Sequence, residues 1–139
     1  MNRALRITGF LALLFTLLVA GVAIGEDAVN PTKASMGAGA YRAYCASCHG
    51  TTAQGNGDVA QYLRVKPTDL TLLTQDNGGT FPFDTVVKVI DGRKAVPGHG
   101  QGEMPVWGDA LMVAGGGHTE AEVQEKIEQL AHFLWSMQK

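Results

Sequence analysis

The sequence is short of cysteine and of charge. Its 139 residues include only two cysteines, too few to supply the four ligands of a structural zinc site by themselves. Charged residues make up 17% of the chain, and no basic patch is interleaved with aromatic residues, which argues against nucleic acid as a partner. No run has the alternating pattern of a strand, and no internal repeat or low-complexity segment occurs. The length allows one compact domain.

The N-terminus has the features of an export signal. Arg3 and Arg6 precede residues 7–25, which form a stretch of nineteen residues without a charged side chain. Small residues before Glu26 predict cleavage there. The stretch is also long enough to span a bilayer, so an uncleaved anchor is the alternative. Both interpretations deliver the remaining chain to the periplasm or the cell exterior, with membrane contact only through this segment.

Beyond residues 1–25, the chain divides into a linker, residues 26–34, and one domain, residues 35–139. Without Arg3 and Arg6, nine basic residues face thirteen acidic ones, which gives a formal charge of −4. An acidic domain of this kind suggests partners with basic docking surfaces.

Helical signals occur in four places. They predict helices over residues 35–46, over residues 69–73 with Thr68 as cap, from Pro82 to Gly92, and after Thr119, where Thr119 and Glu122 fit a capping box. In the first helix, Gly37 shares a face with Tyr41 and Cys45, so another helix can cross there at short distance. We therefore expect an all-α domain of three to five short helices, too little regular structure for a protein-only core.

The motif Cys45-Ala46-Ser47-Cys48-His49 ends the first predicted helix. Two thiols three residues apart can add to the two vinyl groups of haem, and the adjacent histidine is then held against the iron as the proximal axial ligand. Covalent attachment keeps a large apolar group inside a chain too small to retain it by packing alone. The motif therefore predicts one covalent haem c, whose iron lies in the middle of the domain.

Three alternatives apply to the same residues. A thioredoxin-like redox pair would be expected at a helix start after a strand. A zinc site would need His49 and a distant histidine to complete it. A structural disulfide across so short a loop would remove little chain entropy. The position and spacing of the motif favour haem attachment over all three.

A second axial ligand is expected in the glycine-rich segment formed by residues 100–108. Met104 is the candidate, because a thioether on such a loop can reach the iron from the face opposite His49. Sulfur is a soft ligand that favours the ferrous state and raises the reduction potential relative to two imidazoles. Methionine is also common as core filler. Four other residues compete for the position: Met112, His99, His118 and His132.

From residue 35 to the C-terminus, the chain resembles the class I c-type cytochromes, in particular bacterial monohaem cytochromes c. Three groups of residues carry the resemblance: Gly37, Tyr41, Cys45, Cys48 and His49 of the first helix and attachment motif; Met104, Pro105 and Trp107 of the distal-ligand loop; and Leu130, Phe133 and Leu134 of the last helix. The resemblance implies the class I cytochrome c fold, wrapped around one covalent haem and preceded by the signal or anchor helix.

The resemblance also implies contacts around the haem. The carbonyl of Pro67 would accept a hydrogen bond from the second ring nitrogen of His49 and fix the orientation of the imidazole. Trp107, Arg64 and Arg93 can donate hydrogen bonds to the haem, although ordinary packing or solvated surface explains each of them equally well.

In function, the resemblance implies a single-electron carrier between a donor complex and an acceptor complex of the periplasm or membrane, without substrate turnover of its own. One alternative is a dedicated haem c subunit of a larger oxidoreductase. Another is a haem-based sensor whose distal position opens to a small molecule. Glu103, His99 and Asp109 lie close in sequence, but no nucleophile or metal set joins them, so no catalytic site is predicted.

Overall fold

Helices make up all the regular structure in the residues that the computed structural model describes, which are 28–93 and 104–139. Six α-helices follow one another there: α1 Pro31–Tyr44, α2 Ala46–His49, α3 Leu73–Asp76, α4 Phe83–Asp91, α5 Trp107–Val113 and α6 Glu120–Ser136. Three short 3₁₀ helices lie between them, at Ala60–Tyr62, Leu70–Leu72 and Ala114–Gly116. The all-α prediction is confirmed, and the number of helices exceeds three to five because α2 and α3 are single turns of four residues.

Within this part of the chain, no helix combines the length and the apolar character needed to cross a membrane. The predicted signal or anchor, residues 7–25, lies outside the described residues, as does His99.

Helix α1 begins before the predicted start at Ser35, inside the segment predicted as a linker. Asn30 is its N-cap, and the side-chain oxygen accepts hydrogen bonds from the backbone N–H groups of Thr32 and Lys33, both at 3.1 Å. Pro31 is the first helical residue, where its missing N–H leaves no partner unsatisfied and its fixed φ suits a helix. The Asn30-Pro31 pair therefore starts the helix rather than forming a turn before it.

Helices α1 and α6 cross at Gly37, as the sequence predicted. A Cβ atom at this position would overlap the backbone carbonyl group of Gln129 in α6, so only glycine allows the observed approach. One turn further along, the Tyr41 ring packs against Phe133 of α6 with the ring centroids 5.0 Å apart. The two helices nearest the ends of the described chain thus form the central pair of the domain.

Helix α6 provides the largest share of the core. The capping box predicted at its start is present, because the Thr119 hydroxyl accepts from the N–H of Glu122 and the Glu122 carboxylate accepts from the N–H of Thr119. Five of its apolar side chains are buried: Val123, Ile127, Leu130, Ala131 and Leu134. Helix α4 also packs on α6 and ends, as predicted, at Gly92, which takes the left-handed conformation at φ 67°.

The C-terminal residues fix the segment that precedes α3. Gln138 donates from its side-chain amide to the carbonyl of Leu70 at 2.8 Å, and the N–H of Lys139 donates to the carbonyl of Thr71 at 3.1 Å. The predicted cap, Thr68, is wrong by one residue, because the carboxylate of Asp69 accepts from the N–H of Thr71 at 2.9 Å.

Candidate haem site

The attachment motif lies at the junction of α1 and α2. Cys45 ends α1, where its N–H donates to the carbonyl of Tyr41 at 2.9 Å. Its own carbonyl accepts from the N–H groups of Cys48 at 3.2 Å and His49 at 2.9 Å. The motif therefore occupies one helical turn. Cys45 and His49, four residues apart, face the same pocket.

The imidazole of His49 is held by the backbone. Its Nδ1 lies 3.3 Å from the carbonyl oxygen of Thr68, which can only accept, so Nδ1 carries the proton and Nε2 keeps a lone pair. The acceptor is thus one residue beyond the Pro67 that the resemblance implied. The Pro67 carbonyl instead lies against Gly55, where a Cβ atom would overlap it. This arrangement leaves one ring nitrogen available for a metal.

Burial of His49 further favours the neutral imidazole. Removal from water lowers the pKa of His49 below its usual 6.5, and the hydrogen bond to the Thr68 carbonyl opposes this shift only in part. Neutral imidazole is the form that binds a metal.

The pocket beside His49 lies between α1, α4, α6 and the segment before α3. The space between these elements, including the part open to solvent, is about 760 Å³. Most of its wall is apolar: Leu70, Leu73, Pro82, Val86, Val89, Ile90, Leu130 and Leu134. The other lining residues are Tyr41, Cys45, His49, Thr68, Thr85 and Met104. A large flat apolar group with one metal ion fits such a wall.

Met104 reaches this pocket, and the three competitors that the structure describes, Met112, His118 and His132, do not line it. Its side chain lines the pocket together with His49 and is 37% exposed, so it lies at the rim. Met112 packs on the protein core instead. Of the histidines that the structure describes, His118 lies near Glu122 at the start of α6, and His132 is fully buried and accepts from the N–H of Asn30. Neither lines the pocket.

The chemistry of the thiols fits attachment better than thiol redox exchange. Cys45 and Cys48 are both half-buried and form no disulfide. Burial, together with the charge on Cys48, raises the pKa of the Cys45 thiol to about 11, whereas redox-active cysteines have a lowered pKa. Among the described residues, no three His, Cys, Asp or Glu side chains form a group that could hold a metal ion.

Comparison with protein families gives one match over residues 32–134, to the family described as cytochrome c oxidase, cbb3-type, subunit III. The chain belongs to this family. Searches of curated proteins and of solved structures returned no match.

Membership of the cbb3-type subunit III family establishes the cofactor and the general role. The family binds c-type haem, so the chain carries covalently attached haem c with its iron. The domain is a c-type cytochrome, in agreement with the class I resemblance, and its role is electron transfer.

Three further residues with predicted haem contacts lie outside the pocket lining of this cytochrome. Trp107 begins α5 and packs on Tyr44 of α1, with the ring centroids 5.5 Å apart. Arg64 is exposed. Arg93 has protein partners, since its guanidinium binds the carboxylates of Asp91 and Glu120. These carboxylates account for the position of the Arg93 side chain, and its haem contact stays a prediction.

Several pocket residues were missed at the sequence level. Helix α4 supplies Thr85, Val86, Val89 and Ile90, which recur at helical spacing on one face. The apolar spacing of α4 can be read from the sequence, but it is the same for a helix that lines a haem pocket and for a helix that packs on a protein core. Thr68 accepts the hydrogen bond of His49 through its backbone carbonyl. Because every residue has this group, the sequence does not show which residue is the acceptor.

Proposed function

We propose that this chain is a single-electron carrier in which Cys45 and Cys48 hold the haem covalently, His49 is the proximal ligand and Met104 is the distal ligand. One observation supports the ligand pair most strongly. Met104 lines the same pocket as His49, and no other methionine or histidine among the described residues does.

Each residue would have a separate task. The thiols of Cys45 and Cys48 would hold the cofactor in the pocket through thioether bonds to its vinyl groups. The Thr68 carbonyl holds Nδ1 of His49, which would leave Nε2 for the metal. Haem, when bound, would supply a one-electron change of its iron. The thioether of Met104 would favour the ferrous state, and two ligands kept in both oxidation states would keep the structural change on electron transfer small.

Visible spectroscopy of the full chain, produced with a cytochrome-maturation system, tests this proposal. We expect covalent haem that acid extraction does not remove, and a weak far-red sulfur-to-iron charge-transfer band in the oxidised protein. Met104→Ala should lose the band. Met112→Ala is the matched control, because that methionine is half-buried in the core and does not line the pocket. Covalent haem with the band retained in Met104→Ala would refute Met104 as the ligand.

A second candidate is a stable subunit of an oxidase. The description of the family, an oxidase subunit, favours it. In this case the chain would receive electrons from a donor and pass them within one complex rather than diffuse between two complexes. Affinity purification from mild detergent extracts of the native cells distinguishes the two candidates. A stoichiometric complex with a larger membrane protein supports the subunit, and isolation of the chain alone supports the free carrier.

Export to the periplasm belongs to the same proposal. The uncharged run at residues 7–25, preceded by Arg3 and Arg6, supports it. Cell fractionation with N-terminal sequencing tests both parts: a soluble periplasmic chain that begins at Glu26 indicates cleavage, and an intact chain in the membrane fraction indicates an anchor.

A further inference from the structure

Arg93 joins three helices. It follows Gly92, the residue that ends α4, and its Nε donates to the Asp91 carboxylate at 2.5 Å. Its two terminal nitrogens donate to the two carboxylate oxygens of Glu120, the first residue of α6, at 2.8 and 2.7 Å. Such a bidentate pair fixes direction as well as distance. We refer to Asp91, Arg93 and Glu120 as the Arg93 cluster.

The start of α5 packs against the same cluster. A Cβ atom at Gly108 would overlap Asp91 Oδ1 and Arg93 Nε, so the backbone of α5 lies directly on the ion pair. On the other side, a Cβ atom at Gly92 would lie 3.2 Å from the Cα of Val106. The end of α4 and the chain before α5 are therefore held together at two neighbouring points.

These two points bracket Met104 along the chain. Arg93 precedes it, and Val106 and Gly108 follow it. Met104 belongs to no helix and is 37% exposed, so no helical hydrogen-bond ladder holds its backbone at the pocket. Its position must then depend on how firmly the flanking chain is anchored. The side chains of Arg93 and Asp91 are only 24% and 20% exposed, which shields their ion pair from water more than a fully solvated one. Glu120 is 66% exposed, so its pair with Arg93 is more open to solvent.

We propose that Arg93, through Asp91 and Glu120, is a positioning residue that fixes Met104 at the rim of the haem pocket. The inference rests on the proposed function, in which Met104 is the distal ligand. Loss of the cluster should let Met104 leave the pocket more often without changing haem attachment, because Cys45 and Cys48 lie on a different part of the chain.

Imidazole binding to the oxidised holoprotein measures how readily Met104 gives up the distal position. We expect Arg93→Gln to bind imidazole more tightly than wild type by about threefold to tenfold, since it removes the partly shielded pair with Asp91 as well as the pair with Glu120. Glu120→Gln should have a smaller effect in the same direction, about twofold to fivefold, because Glu120 is more exposed. Arg93→Lys should be intermediate, because an ammonium group cannot form the bidentate pair. Lys33→Gln is the control. It breaks two ion pairs between α1 and α6, with Glu125 and Glu128, whose residues do not line the pocket, and it should leave imidazole binding unchanged.

Amide hydrogen exchange in the same holoproteins provides a second measurement that does not depend on ligation. The N–H groups of Gly92 and Ala110, on either side of the cluster, donate to the carbonyls of Lys88 at 3.0 Å and Val106 at 3.1 Å. Faster exchange at these two amides in Arg93→Gln and Glu120→Gln, but not in Lys33→Gln, supports the positioning role. Imidazole affinity and exchange that match Lys33→Gln in both variants would overturn it. If wild type lacks the sulfur-to-iron band but exchange at Ala110 still increases in the variants, Met104 ligation fails and the positioning role stands.

Discussion

Gly37 and Gly39 lie two residues apart in α1 but have different surroundings, which makes them a matched pair for testing the packing of this domain. A Cβ atom at Gly39 meets no atom within 4 Å, whereas at Gly37 it overlaps the backbone carbonyl group of Gln129. Replacing an interior helical glycine by alanine stabilises a helix by about 0.5–1 kcal/mol. We expect that gain at Gly39→Ala.

At Gly37→Ala the obstacle is backbone, which cannot rotate away as a side chain can. Helices α1 and α6 must separate, and overpacking of this kind costs about 1–3 kcal/mol, more than the helical gain. The net effect should be destabilising, with the opposite sign to Gly39→Ala.

Urea unfolding of the two holoproteins, followed by far-ultraviolet circular dichroism, measures both effects as changes in midpoint at constant slope. The covalent haem stays attached in the unfolded chain, so cofactor loss does not disturb the comparison. Equal stabilisation by Gly37→Ala and Gly39→Ala would refute the close crossing of α1 and α6.

Two further predictions concern single interactions. Tyr41 is buried and donates its hydroxyl proton to the carbonyl of Gly50 at 2.7 Å. Tyr41→Phe removes this bond, while the carbonyl still accepts from the N–H of Ala53 at 3.1 Å, so the free energy of unfolding should fall by about 0.5–1.5 kcal/mol in urea titration. Burial raises the pKa of Glu128, but hydrogen bonds, chiefly from Lys33, outweigh it and hold the pKa below the usual 4.5. The stability from this pair is therefore present above pH 4.5 and lost as pH falls further. Glu128→Gln should cost about 0.5–1 kcal/mol at pH 7, and this cost should shrink as pH falls below 4.5; a cost that does not change with pH would contradict the assignment.

Much of the fold was predictable because its signals are local. The capping box of Thr119 and Glu122, the glycine that ends α4, and the glycine at the crossing of α1 and α6 each depend on a few neighbouring residues. The start of α1 was missed because Asn30-Pro31 fits both a turn and a helix start. Helix α5 was missed since Gly108 lowers its helix propensity, and tertiary packing on Asp91 and Arg93 outweighs that cost.

The site residues, like the helices, divide into those marked by local sequence and those brought together only by the fold. Cys45, Cys48 and His49 lie close together along the chain, so the sequence alone predicts their chemistry. The partner of Arg93 could not be predicted, because Glu120 lies 27 residues further along the chain and only the fold brings the two together. The acceptor for His49 is likewise a backbone carbonyl on another segment, and no side chain marks it in the sequence.

The order of elements along the chain has a consequence for how the protein matures. Leu130 and Leu134, which form part of the pocket wall, belong to α6, the last helix. A chain that emerges N-terminus first therefore presents its two thiols and its histidine before the wall that shelters them has been made. Haem can therefore be attached while the Cys45–His49 segment is still accessible. The packing of α6 against α1 then encloses the attached haem.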